Sequence, residues 1–321
     1  MSFSSDVKRE LSRQLEMARH CQIAEIAGII NMCGQIISQS DKILVKVQTE
    51  NPAVARKYFT LLKKAFNINV EVLIRRNTQL KKNRIYILVI RDSHQVEKVL
   101  LATGLIIKQN GYVYIKMEID PLLTQSTCCK RAYIRGAFLG GGSVSDPEKT
   151  YHLEFVNATY KHSKQLQQLI NSFGMDSKVI KRKKNYIVYL KEGEQIVDLL
   201  NIMEAHIALM NLENIRIMKE MRNNVNRMVN CETANLKKTV SAAVKQLQDI
   251  EYVDQIIGLH NLPSSLEEVA HYRIQHPDAS LKELGTLLNP PVGKSGVNHR
   301  LRKISNIAER LRKKRGGQSY D

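Results

Sequence analysis

The amino-acid sequence predicts an α+β protein in which one helix-and-strand unit occurs twice and is followed by an all-α helix-turn-helix domain. An apolar stretch with an inner glycine occurs at residues 26–34 and again at 134–142. Strands of the same type follow both stretches at the same offset, since Gly28 and Gly136 lie 108 positions apart. The last quarter of the chain has no strand-like alternation and contains three short amphipathic segments.

The composition indicates a globular protein with an excess of positive charge. The chain has 321 residues, 43% of them hydrophobic and 25% charged, which is too apolar for a disordered chain. Its formal net charge is +18. Lysine and arginine gain affinity for nucleic acid by releasing counterions from phosphates, so the charge favours a polyanionic partner. An incidentally basic protein and an acidic membrane surface as partner remain alternatives.

The N-terminal segment, residues 1–19, is predicted to be a polar helix capped by Ser4 or Ser5. It lacks the apolar core of a signal peptide, and we find no run of about 18 apolar residues elsewhere in the sequence. We therefore expect a cytoplasmic protein that associates with the nucleoid and not with a membrane.

The five cysteines show no Cys-x-x-Cys spacing, and their number is odd. We therefore expect buried free thiols and neither a disulfide framework nor a zinc site. The nine histidines show no metal-ligand spacing. The sequence predicts no metal and no cofactor.

The duplication occupies a domain predicted at 20–206, with copies at about 20–105 and 128–205. Each copy is expected to run helix, strand, strand, helix, strand, strand, helix, the order αββαββα. Residues 44–51 and 152–159 alternate with period two, which is typical of strands with one buried face. A further strand at 112–117 is interpreted as a connection. If the copies form a pseudo-dimer, Gly28 and Gly136 would allow the two glycine-bearing helices to approach each other closely. The alternative is that each glycine merely marks a helix end or a tight packing site.

Three C-terminal segments follow the duplication. Residues 207–262 are predicted to be a helical linker, and their asparagine-rich part is either a contact surface or a solvated face. Residues 263–312 are predicted to be a helix-turn-helix domain, with capping boxes starting at Ser265 and Ser280. Its third helix begins near Lys294 with an apolar stripe through Val297 and Leu301. Residues 313–321 form a basic tail.

The polar face of the third helix is the candidate DNA-reading surface. Arginine can pair bidentately with guanine and asparagine with adenine, so base contacts are assigned to Ser295, Asn298, His299 and Arg302. Phosphate contacts are assigned to Lys294, Arg300 and Lys303. The partner is therefore expected to be double-stranded DNA. The alternative is a three-helix protein-interaction module with a solvated charged face.

The glycine-bearing helices resemble the LAGLIDADG motif of homing endonucleases, and the whole chain resembles the WhiA family, in which such a domain precedes a helix-turn-helix. The stretches that carry this second resemblance are 3–8, 135–139, 142–147, 222–235 and 294–303. The resemblance implies a bacterial DNA-binding transcription regulator, associated with sporulation in actinomycetes and with cell division and chromosome segregation in other Gram-positive bacteria. Its partners could include another transcription factor or division protein.

The residues that would hold a catalytic metal are missing. LAGLIDADG nucleases place a carboxylate at the end of each motif helix, and together these bind Mg²⁺. The matching positions here are Cys33 and Gly141, so we expect no enzyme activity. A rescue by Glu25, which is expected to precede its helix, or by Asp146 or Glu148 is the enzymatic alternative. A third alternative is an architectural nucleoid or division factor that regulates few genes.

Basic side chains on the predicted strands offer a second DNA contact. Lys46, Arg75, Lys181 and Lys183 lie in strands or their turns and could follow phosphates across a saddle-shaped sheet. The alternative is that they solubilise exposed strands of a dimerisation or protein-interaction platform.

Overall fold

The computed structural model describes residues 2–39, 42–76, 84–110 and 112–316. It divides into two compact units, Met1–Lys219 and Glu220–Asp321. The helices are α1 (Phe3–Arg13), α2 (Arg19–Cys33), α3 (Pro52–Phe66), α4 (Ser93–Ala102), α5 (Thr127–Gly141), α6 (Tyr160–Asn171), α7 (Gly193–Ile202), α8 (His206–Ile257), α9 (Ser264–Gln275), α10 (Leu281–Leu287) and α11 (Lys294–Gly316). The strands are β1 (Gly34–Gln39), β2 (Lys42–Thr49), β3 (Glu71–Arg76), β4 (Arg84–Ile90), β5 (Ile106–Gln109), β6 (Tyr112–Ile115), β7 (Gly142–Val144), β8 (Leu153–Asn157), β9 (Lys178–Arg182) and β10 (Asn185–Leu190).

The two sheets of the first unit have the same topology, which confirms the α+β duplication. The strand orders are β1-β2-β4-β3 and β7-β8-β10-β9, and all neighbouring strands are antiparallel. Val45 and Val47 of β2 are buried, as are Leu153 and Phe155 of β8. These alternate residues face helices α3 and α6, as the period-two pattern predicted. Each sheet therefore has a helical face and an outer face turned away from the helices.

Helices α2 and α5 form the most extensive contact between elements of the first unit. A Cβ atom built on Gly28 would lie 2.5 Å from the Tyr133 carbonyl oxygen, and one on Gly136 would lie 2.1 Å from the Glu25 carbonyl oxygen. Any larger residue would force the two backbones apart. The prediction that the two glycine-bearing helices meet is confirmed.

The N-terminal helix α1 begins earlier than the predicted cap. Ser2, and not Ser4 or Ser5, is the N-cap residue, and its hydroxyl accepts from the Ser5 backbone N–H. The Ser4 hydroxyl accepts instead from the backbone N–H of Val144 at 3.3 Å. Val7 and Leu11 are fully buried in the core of the first unit. The helix thus belongs to the packing of this unit.

The predicted connecting strand is part of a hairpin. Strand β6 pairs with β5 in antiparallel register, from Ile106 opposite Ile115 to Gln109 opposite Tyr112. Only the second strand was expected from the sequence, because Lys108 and Gln109 interrupt the alternation in the short first strand.

The second unit has its own core, formed by the last part of α8 and by helices α9, α10 and α11. The capping box at Ser280 and Glu283 is confirmed. The one predicted at Ser265 is wrong: α9 begins at Ser264, directly after Pro263, and has no side-chain cap. Pro263 has a fixed φ of −50° and sets the helix start one residue before the expected cap.

Candidate nucleic-acid interface

Helix α11 presents one apolar face and one cationic face. Val297, Leu301, Ile304 and Ala308 are all buried at helical spacing in the core of the second unit. The predicted DNA-contacting residues on the opposite face are solvent-exposed: Lys294, Ser295, Asn298, His299, Arg302 and Lys303. These side chains are therefore available to a ligand, and their charge suits a polyanion.

The turn between α10 and α11 fixes where this face begins. The Val292 backbone N–H donates to the Gly285 carbonyl at 2.9 Å. A Cβ on Gly285 would lie 2.0 Å from the Val292 carbonyl oxygen, so only glycine allows this approach. Arg273 is buried, and its guanidinium donates to the carbonyls of Pro277 and Ala279, which fixes the preceding turn. Two short turns thus orient α11 against α9 and α10.

Two arginines of α11, one of which the sequence assigned to DNA, have contacts within the fold. Arg300 is half-buried, and its Nη1 lies 3.8 Å from the Glu268 carboxylate and 3.5 Å from the Ser265 carbonyl. Arg312, the last residue before the predicted basic tail, pairs with buried Asp249 at 2.7 Å and lies over the Tyr252 ring. Both hold α11 in place. Lys294, Arg302 and Lys303 are exposed near the start of the helix, and Arg310, Lys313 and Lys314 are exposed further along it. Residues 317–321 of the predicted tail lie outside the described residues.

The ends of the two motif helices carry no carboxylate. The Cys33 thiol lies near the end of α2 and donates to the Ile29 carbonyl at 3.3 Å, and burial raises its pKa to about 12. At the end of α5, a Cβ on Gly141 would lie 2.6 Å from the Met32 side chain and 3.2 Å from the Val156 carbonyl oxygen. A carboxylate at Gly141 would therefore require the neighbouring side chain to move.

The three acids considered as substitutes lie in unsuitable places. Glu25 does not precede its helix, as the sequence suggested, but lies inside α2 with no exposed surface. Its carboxylate is 3.0 Å from the Lys57 ammonium and 3.4 Å from Arg135 Nε. Asp146 accepts from the Glu148 backbone N–H in an exposed turn. None of these positions provides a pair of carboxylates between the two motif helices.

The basic residues of the sheets do not form one surface. Lys46 and Arg75 lie on the outer face of the first sheet, because their register partners are Val89 and Ile85 rather than the core residues Leu88 and Ile90. Lys181 lies on the helical face of the second sheet, over the ring of Tyr186. Lys183 lies in a turn with φ of 57°. Lys181 therefore does not share a face with Lys46 and Arg75 in the equivalent position of the other sheet.

The outer face of the second sheet contains an acid that the sequence analysis missed. Glu154 accepts from Arg182 at 3.2 Å and lies 3.2 Å from His152. The Glu154 carboxylate neutralises the charge of Arg182 on that face, which makes the face less suitable for binding DNA phosphates. Strand alternation places Glu154 and Arg182 on the same outer face, because their neighbours Phe155 and Lys181 lie on the helical face.

A group of four metal-ligand side chains is assembled where α2 and α5 begin. It consists of His20, Cys21, Cys128 and Cys129, whose ligand atoms all lie within 4.8 Å of one another. Cys128 and Cys231 are exposed, so the expectation of buried thiols is wrong for these two. Spacing within one segment could not reveal the group, because it combines residues of both copies.

Three family models match successive parts of the chain. Residues 19–106 match the WhiA N-terminal LAGLIDADG-like domain, and 130–222 match the WhiA LAGLIDADG-like domain. Residues 225–308 match the WhiA C-terminal HTH domain. No helix among the described residues is long and apolar enough to cross a membrane.

Whole proteins and solved structures give the same result. The chain is 56% identical over 315 residues to a "Probable cell division protein WhiA" of Alkaliphilus metalliredigens, covering 98% of the chain and 99% of the relative. It is 54% identical to the protein of that name from Lachnoclostridium phytofermentans, covering 97% and 100%. The crystal structure of full-length DUF199/WhiA from Thermatoga maritima aligns with a TM-score of 0.61 at 25% identity, covering 97% and 99%.

Proposed function

The chain belongs to the WhiA family, and on that premise we propose that it is a DNA-binding transcriptional regulator of cell division and chromosome segregation that acts on the nucleoid in the cytoplasm. Its duplicated endonuclease-like domain is a scaffold that does not cleave DNA. The observation that carries the proposal is the exposed cationic face of α11, opposite a stripe of four buried apolar residues.

The chemistry of this face supports sequence recognition in addition to general attraction. The exposed residues include Arg302 and Asn298, side chains that read guanine and adenine edges in the major groove. They lie four positions apart and therefore project from one side of the helix. Lys294 and Lys303 flank them and are assigned to phosphates, which position a protein without specifying a sequence. Arg300 is omitted from the proposed contacts because Glu268 already pairs with it.

Removal of Arg302 is expected to relax sequence preference. A duplex motif selected from random DNA by the full chain should bind the Arg302→Ala variant about 5–150-fold more weakly, which corresponds to a loss of about 1–3 kcal/mol. The lost preference should be confined to one base pair of the motif. Because Arg302 is exposed and outside the core, folding should be unaffected.

The matched control is Lys303→Ala, which removes the neighbouring exposed charge. It should weaken selected and unrelated duplexes alike and reduce the slope of log affinity against log salt by about 1. If Arg302→Ala and Lys303→Ala have the same effect on every duplex, Arg302 does not read a base.

The scaffold is expected to lack nuclease activity. Supercoiled plasmid incubated with the full chain and Mg²⁺ or Mn²⁺ should remain as intact as in the presence of a chelator, because the motif positions Cys33 and Gly141 supply no carboxylate. The exposed acids Asp146 and Glu148 provide the matched variants. Metal-dependent nicking that Asp146→Ala or Glu148→Ala abolishes would establish the enzymatic alternative.

A further inference from the structure

We propose that His20, Cys21, Cys128 and Cys129 form a zinc site that joins the N-terminal ends of α2 and α5. All four ligand atoms lie within 4.8 Å of one another. His20 Nδ1 is 3.0 Å from the Cys129 Sγ and 3.4 Å from the Cys21 Sγ. Zinc–thiolate bonds of about 2.3 Å place the ligands of a tetrahedron roughly 3.8 Å apart, so small side-chain shifts would close the site.

The duplication explains why the ligands come in two pairs. His20 corresponds to Cys128 and Cys21 to Cys129 at the same 108-residue offset that relates Gly28 to Gly136. Both pairs occupy the second and third positions of their helices. The pseudo-twofold axis that relates α2 to α5 therefore relates the two ligand pairs as well. A tetrahedron also divides into two pairs of ligands about a twofold axis, so the symmetry of the fold matches that of the metal.

The two helix ends favour the charge of such a site. Zn²⁺ with three thiolates and a neutral imidazole has a net charge of −1. The N-terminal end of a helix carries a partial positive charge that stabilises anions and thiolates. Neither Ala18 before α2 nor Ser126 before α5 provides a side-chain cap. Two uncapped helix ends thus lie beside the proposed site.

The donor set selects the metal. Three thiolates and one imidazole suit zinc rather than magnesium or calcium, which take oxygen ligands. Cys128 and His20 are exposed, which gives the ion a route from solvent. Bound zinc would fix the start of the central helix pair, where the two copies meet.

The test uses the full chain, purified under reducing conditions without chelator. Elemental analysis should find about one zinc per chain, and Co²⁺ in its place should give the intense near-ultraviolet and visible bands of tetrahedral thiolate coordination. Cys128→Ser and His20→Asn alter exposed side chains and should leave the fold intact by circular dichroism. Each should weaken zinc binding at least about 100-fold, since even the loss of outer contacts to a metal site can cost that much.

Cys231→Ser is the matched control, because Cys231 is also an exposed thiol but is not part of the group. It should retain the metal and the cobalt bands. The proposal is overturned if the reduced chain binds no zinc and gives no tetrahedral cobalt spectrum, or if Cys128→Ser and His20→Asn keep full affinity.

Discussion

Replacement of Glu25 by alanine is expected to lower the free energy of unfolding of the first unit by about 3–5 kcal/mol, the usual effect of removing one partner from a buried ion pair. Lys57 and Arg135 are as buried as Glu25 and lie 3.0 Å and 3.4 Å from its carboxylate. Without Glu25, two buried cations would lose their shared counter-ion. Denaturant unfolding followed by circular dichroism measures the effect.

Burial opposes the charged forms of both Glu25 and Lys57, and their attraction acts against that effect. Burial raises the pKa of Glu25, while the charges of Arg135 and Lys57 act against that rise. Burial also lowers the pKa of Lys57. Arg135 keeps its charge, because Glu25, Glu16 and Glu204 raise its pKa against the effect of burial, and Glu25 is therefore expected to be its counter-ion. This stabilising role also makes Glu25→Ala unsuitable as a nuclease test, because lost activity would not be separable from lost structure.

Glu204→Ala is the matched control, since Glu204 also pairs with Arg135, at 2.7 Å, but its side chain is 32% exposed. Arg135 would keep Glu25 and Glu16 as partners, so the loss should stay near 1 kcal/mol. If Glu25→Ala costs no more than Glu204→Ala, Glu25 is not the ionised centre of this network.

Replacement of Gly136 by alanine is expected to cost about 3 kcal/mol or more, at the upper end of what overpacking does to a protein core. Alanine inside a helix normally stabilises by about 0.5–1 kcal/mol over glycine. Here its Cβ would lie 2.1 Å from the Glu25 carbonyl oxygen, a backbone atom that cannot rotate away. The clash should therefore outweigh the helix preference, as measured by the midpoint of urea unfolding.

Gly193→Ala in the same unit is the control. A Cβ there would make contacts of 3.4 Å and longer with side-chain atoms of Arg216, which is ordinary van der Waals distance. Its effect should remain within about 0.5 kcal/mol. Equal stability of Gly136→Ala and Gly193→Ala would contradict the close approach of α2 and α5.

The sequence predicted the elements whose pattern is local. Alternation identified β2 and β8, and the buried stripe of α11 followed from helical spacing. Errors arose where neighbours decided the outcome. Ser4 was expected to cap α1, but its hydroxyl accepts from Val144 in β7. The placement of Glu25 failed because the glycine motif marked only the end of α2, and the helix begins at Arg19.

For the candidate site, too, the sequence predicted what depends on local spacing and missed what depends on contacts between elements. Polar spacing found the exposed face of α11, but it could not show that Glu268 of α9 pairs with Arg300. The sequence also could not show that Lys181 lies on the helical face, because the face is decided by the register of strand pairing. The group of His20 and the three cysteines was missed for a related reason. Each helix contributes two adjacent residues, a spacing that is not typical of metal ligands. The four side chains come together only because α2 and α5 pack against each other.

We propose that α11 directs this protein to particular DNA sequences while the duplicated domain serves as scaffold. Chromatin immunoprecipitation of the full chain and of its Arg302→Ala variant, across the genome of the source bacterium at equal expression, tests it most directly. We expect a limited set of sharp promoter peaks that share one motif, and we expect the Arg302→Ala variant to lose or broaden them. Broad coverage of the chromosome by both proteins, or identical sharp peaks for both, would contradict it.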